Sequence, residues 1–221
     1  MSKTGPFIFL FTFILFAFSC QEEGALSADE QKVILMSTGW KLDRLIFQFQ
    51  DGRPDEESDT LVLLTLRSDK EEEQMSVFTD RWIVFENDSI ALSAYNLDFY
   101  SRPDEQAEWE RISRNNTGGG WTDWGFDAEN IPHLSLRKAY PIRIRLVDDH
   151  QFILEDAYRI ETTEEMPSGT ATLTYRFGTW PSGTLTRIDA VYISAGPDEG
   201  PNWFPPWNFW PEGLQVWHVT R

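Results

Sequence analysis

Cysteine is almost missing from this chain. Cys20 is its single example, so no intramolecular disulfide can form and the fold has to rest on packing. Basic residues are outnumbered, 19 Lys and Arg against 36 Asp and Glu, for a formal charge of −17. That balance excludes a nucleic-acid surface, since phosphate would be repelled, and it keeps a protein soluble and apart from its copies. Histidine is scarce: His133, His150 and His218 lie far apart without paired spacing, so each reads as a surface or strand residue rather than a ligand or base. The motifs of familiar enzymes are absent too, with no H-E-x-x-H, no G-x-S-x-G, and Gly118-Gly119-Gly120 leading into Trp121 where a P-loop needs lysine. Carboxylates are plentiful but stand in runs such as Glu71 to Glu73, which read as solvated turns. No metal or cofactor is implied.

Long apolar runs are equally rare, and the one present lies at the start. After Lys3, Phe7 to Phe18 is unbroken by charge and closes on Ser19 before Cys20. As a helix it would span about 18 Å, too short for a bilayer core, so a cleaved export signal is expected rather than a membrane span. Ala17, Phe18, Ser19 and Cys20 stand where the lipobox of bacterial lipoproteins has its residues, and the segment resembles one, although Phe18 is bulkier than usual and no leucine sits three before the cysteine. The resemblance implies loss of residues 1–19, acyl chains such as palmitate on Cys20, and an outer-membrane anchor. An ordinary secretory signal with an incidental cysteine is the alternative. Gln21, Glu22 and Glu23 resemble the acidic tag of lipoproteins exported to the cell surface, or form a plain solvated tether over residues 20–26.

Residues 27–221 read as one β domain. Ser27-Ala28-Asp29-Glu30 is a capping box, predicting a short helix through Val33, Ile34 and Met36 that acts as a plug or lid. In the stretch 40–50, Trp40 and Leu42 hold one alternation phase while Leu45, Phe47 and Phe49 hold the other. A phase change inside one strand predicts a bulge or sharp bend. Strands are expected at 60–67, 75–85, 89–95 and 97–100, then at 134–147, 151–161, 170–179 and 185–194, with a last one at 214–220 to close the sheet. Pro103 to Ile112 reads as a second helix, and Gly118 to Phe126 as an aromatic loop. Gly196 to Gly213 is a second aromatic loop, stiffened by prolines that forbid helix interior and central strand alike.

Eight to ten alternating strands joined by short polar turns describe an all-β, antiparallel up-and-down barrel with one or two short helices; a two-sheet sandwich is the alternative. With Thr38-Gly39-Trp40-Lys41-Leu42 opening the first strand after a short helix, the order of elements resembles the lipocalin-like lipoproteins. That resemblance implies a small barrel holding one hydrophobic or amphipathic ligand, without catalysis. Trp121, Trp124 and Phe126 with Trp203, Trp207 and Trp210 are the candidate ligand contacts, either flanking the barrel mouth, where they would meet a small hydrophobic molecule or a glycan, or folding back as a satellite core. The second function class is an accessory subunit docking a protein partner at the membrane, and a glycan hydrolase is the weaker third. Asp59-Thr60-Leu61 and Asp88-Ser89-Ile90 resemble the short sequon for periplasmic O-glycosylation, at Thr60 and Ser89.

Overall fold

A computed structural model describes residues 26–70, 73–135, 137–181 and 183–196. Its helix α1 (Ala28–Met36) follows from the predicted cap: the Glu30 N–H donates to the Ser27 hydroxyl at 3.3 Å, and the Ser27 N–H donates to the Glu30 carboxylate at 2.8 Å. Leu35 on α1 is fully buried, and its carbonyl accepts from the indole N–H of Trp40 at 2.8 Å. The helix thereby seals one end of the sheet.

Strand β1 (Gly39–Phe49) carries the predicted phase change. Its register against β12 (Leu185–Ser194) slips between Leu42 and Arg44, so Trp40 and Leu42 on one side of the slip, and Leu45, Phe47 and Phe49 on the other, all reach the core. The extra residue lets one strand serve both phases. The short β2 (Glu56–Ser58) then pairs with the second half of β1.

Three long strands follow β3 (Leu61–Arg67): β4 (Glu73–Phe85), β5 (Ile90–Arg102) and β6 (Glu110–Phe126). At about 3.4 Å per residue, the 13 residues of β4 span about 44 Å. By contrast β7 (Pro132–Leu134), β8 (Ile142–Leu146) and β9 (Gln151–Glu155) are short. The antiparallel order β1-β4-β5-β6-β7-β8-β9-β12 returns to β1 and closes an eight-stranded barrel. The overhanging halves of β4, β5 and β6 continue beyond it as a wing, extended by β3, β11 (Thr172–Phe177) and β10 (Glu161–Glu165). Closure is made where Gly39–Lys41 pairs with Trp82–Val84; the expected closing strand 214–220 lies outside the described residues.

The barrel interior is packed with rings. Phe152 meets Trp40 edge-on at 4.9 Å and stacks on Tyr192 at 5.1 Å, while Phe85 meets Trp124 at 4.8 Å. The outer wall carries Arg143, Arg145 and Glu155, with Arg145 donating to Glu155 at 2.6 Å. A lipid-facing wall would be apolar outside and polar within, the reverse of this one.

Several expectations are corrected. The second helix is not formed: the Asp104 carboxylate accepts from the N–H groups of Gln106 and Ala107, closing a turn, and Glu110 onward joins β6. The aromatic loop 118–126 is also β6, because a glycine lets its backbone pass close to β5; a Cβ on Gly119 would lie 2.5 Å from the Ser93 carbonyl oxygen. The stretch 134–147 divides into β7 and β8 at Ser135, whose φ is +55°. Residues 151–161 divide at Asp156, φ +51°, after which the Ala157 N–H bonds the Ile188 carbonyl and the chain leaves the barrel for the wing.

Candidate functional site

The end of the barrel opposite α1 opens into a mouth of about 270 Å³, and a bulge in β4 shapes it. Thr79 pairs with Asn96 and Trp82 with Ala94, so Asp80 and Arg81 together face Tyr95 alone. Asp80 takes φ +46°, and its carboxylate accepts from the Asn96 amide at 2.9 Å, which fixes the turn of the chain. At this point β4 exchanges β3 for β1 as its partner. The same step puts Arg81 in phase with the inward Ile83 and Phe85.

Arg81 therefore enters the mouth. Its guanidinium lies 5.0 Å from the centre of the Tyr158 ring, and its Nη1 is buried without a hydrogen-bond partner among the described residues. Tyr192, in phase with the inward Ile188 and Ala190 on β12, is fully buried, and its hydroxyl likewise has no partner there. Burial pushes the Tyr192 phenol above its ordinary pKa, opposed by the charge of Arg81, so the group is a neutral hydroxyl at physiological pH. Ile83, Ala91, Leu134, Ile142 and Leu154 supply the apolar lining. The rim is polar: Ser93 donates to the Gly120 carbonyl at 3.3 Å, the Thr122 and Ser135 hydroxyls bond each other at 2.9 Å, and Lys138 stands exposed. Among the described residues lining the mouth there is no Asp or Glu, in a chain whose net charge is −17.

The sequence-predicted aromatics do not meet there. Trp124 is buried at the α1 end, donating its indole N–H to the Asn87 carbonyl, and Phe126 packs beside it at 5.9 Å. Trp121, three residues earlier on the same strand, faces outward and is 61% exposed. Trp203, Trp207, Trp210 and Cys20 lie outside the described residues. Ser89 sits in the exposed β4–β5 turn with its hydroxyl on the Asn87 side chain, and Thr60 is half-buried ahead of β3. His133 lies on β7, and His150 in the β8–β9 turn; among the described residues no three His, Cys, Asp or Glu gather as metal ligands.

Sequence reasoning passed over Arg81, Tyr158 and Tyr192. A signal for two of them was present: Arg81 falls in step with Ile83 and Phe85, and Tyr192 with Ile188 and Ala190. Of the other charged groups, the buried Asp189 is committed to structure, accepting from the Asp156 N–H at 2.8 Å and from Arg187 at 2.7 Å. That bond holds the Arg187 guanidinium above its ordinary pKa. A larger recess of about 530 Å³ adjoins the mouth at Ile142, Ala157 and Tyr158 and runs past Tyr140 and Glu155; Arg159 lies 4.1 Å over one face of the exposed Tyr140 ring.

No protein-family model matches the chain, and neither does any curated protein or solved structure. The eight-stranded closed barrel is the part of the lipocalin-like resemblance that the molecule displays.

Proposed function

We propose that this chain is a binding protein and not an enzyme, holding one small hydrophobic ligand in the open end of its barrel. The observation that carries this reading is the mouth itself, an apolar recess of about 270 Å³ with a few convergent polar groups. At about 30 Å³ per water-sized group it has room for about nine, which favours a compact molecule over a long acyl chain enclosed whole. A glycan is less well served in this recess, because its own aromatic rings are covered: Tyr192 is buried and stacked on Phe152, and Arg81 lies over Tyr158. The test is calorimetric titration of the full chain in detergent with small aromatic compounds, alongside Ser93→Phe, which projects a ring into the recess. Saturable binding lost in Ser93→Phe supports the reading; equal binding by both proteins refutes it.

In the same reading the protein is tethered to the outer membrane through acyl chains on Cys20 and faces the medium. Support comes from the apolar run ending at Ser19-Cys20 and from an outer wall bearing Arg143 and Arg145, suited to water rather than lipid. Among the described residues no helix is long and apolar enough to cross a membrane. Labelled palmitate that fails to appear on the protein in cells, with Cys20→Ser leaving its membrane fractionation unchanged, would overturn the tether. The accessory-subunit reading is favoured by one feature, the outward Trp121 on β6, and it requires Trp121→Ser to abolish a partner contact while leaving small-molecule binding intact.

A further inference from the structure

Resting on that reading of the mouth, we infer that its ligand carries a carboxylate, held between the Arg81 guanidinium and the Tyr192 hydroxyl, on a compact apolar body. The two groups are donors that lack an acceptor: each presents a buried polar atom without a partner among the described residues, and they come from opposite parts of the chain, β4 and β12. A buried donor left unmatched is costly, and two at one site call for the same kind of partner, an acceptor oxygen. Tyr192 is the fixed member. It is wholly buried and stacked on Phe152 with planes 11° apart, so its hydroxyl cannot turn away.

Arg81 is the adjustable member. Its long side chain lies over the face of Tyr158, an attraction a bound anion can replace as the guanidinium swings to receive it. Lys138 at the rim adds a second positive charge, and no carboxylate among the described lining residues opposes either cation. The mouth lining therefore carries cations without a carboxylate inside a strongly negative protein, while Asp43, Asp59 and Asp80 line the neighbouring recess on the other side of Arg81. The sign of the preference is thus decided by two or three residues, and the apolar walls of Ala91 and Leu134 exclude a bare inorganic ion in favour of one with a hydrophobic body.

The experiment compares benzoate with its neutral isostere benzamide by calorimetry on the full chain in detergent. Wild type is expected to bind benzoate at least tenfold more tightly. Arg81→Met should abolish that preference, bringing benzoate to the affinity of benzamide or below. Tyr192→Phe, which keeps the stacked ring, should weaken benzoate several-fold and more than benzamide, and it keeps the test decisive should Arg81→Met fail to fold. Benzamide bound as tightly as benzoate by wild type, with both lost in Ser93→Phe, overturns the carboxylate and leaves the mouth as a neutral binding site. Binding of neither compound, or binding of both unchanged in Ser93→Phe, overturns the mouth as a site and the carboxylate with it.

Discussion

Replacing Tyr192 by phenylalanine should make the free protein more stable, an unusual outcome for a fully buried core position. The ring contributes through its stacking on Phe152 at 5.1 Å and its packing in the barrel, and phenylalanine keeps both. What is removed is a hydroxyl buried without a hydrogen-bond partner among the described residues. Leaving such a group unsatisfied costs about 1–3 kcal/mol, so about 2 kcal/mol should be recovered. For a chain of this size each kcal/mol moves the melting temperature by about 2–4 °C, which places the expected rise at about 4–8 °C. With an m-value of about 3 kcal/mol/M, the urea midpoint should rise by about 0.7 M. Trp40→Phe is the control of opposite sign, because the Trp40 indole N–H is satisfied by the Leu35 carbonyl at 2.8 Å and its loss should cost about 2–4 kcal/mol. Both variants are measured by urea titration of ligand-free protein at neutral pH. A Tyr192→Phe midpoint equal to or below wild type would refute the argument, since it would mean that the hydroxyl is satisfied. A rise in stability joined to a loss of benzoate affinity would mark a group kept for binding at the expense of the fold.

Three further outcomes follow from the geometry. Asp80 sits at φ +46°, so Asp80→Gly should be close to neutral while Asp80→Val should cost about 1–3 kcal/mol and reduce ligand affinity through the displaced Arg81, as read by urea titration and calorimetry together. Gly119→Ala should destabilise by about 1–3 kcal/mol, since its Cβ would meet the Ser93 carbonyl oxygen at 2.5 Å, whereas Gly120→Ala, with open space around it, should stabilise by about 0.4–1 kcal/mol; melting curves separate the two. Asp127 accepts from the Ile131 and Glu129 N–H groups, each at 2.9 Å, and the Ile131 bond first of all holds its carboxyl below the ordinary value. A lowered folded pKa stabilises above the unfolded pKa of about 3.9, and the effect is lost as pH falls through the folded value. The advantage of wild type over Asp127→Asn in urea midpoint should therefore be present at pH 5 and fade below about pH 4.

Legibility in the sequence divides by distance along the chain. The Ser27–Glu30 box needs only four neighbouring residues, and it formed as expected. The phase change from Leu42 to Leu45 is likewise local, and the bulge stands at that place. The segment 103–126 was misread because its local cues point elsewhere. Pro103 with Asp104 and Glu105 resembles a helix start, and Gly118 to Gly120 resembles a loop, yet both stretches are ruled by β5, which offers a long edge for β6 to pair with. The candidate site was missed for a related reason. A lone arginine beside Asp80 looks like a surface residue until the bulge turns it inward, and the bulge exists because β4 must change partners there.

By itself the sequence determined the composition of the layers: an all-β chain, one capped helix, which residues alternate inward, and an acidic exterior. Those properties depend on side-chain chemistry and on periods of two or 3.6 residues, which a short window contains. Only the tertiary structure decided which strands meet. The pairing of β1 with β12 joins Trp40 to Ser194, and that of β11 with β3 joins Leu173 to Arg67, contacts separated by more than a hundred residues. Whether such edges pair depends on the whole sheet closing at once, and Arg81 and Tyr192 come to face one mouth only after it has closed.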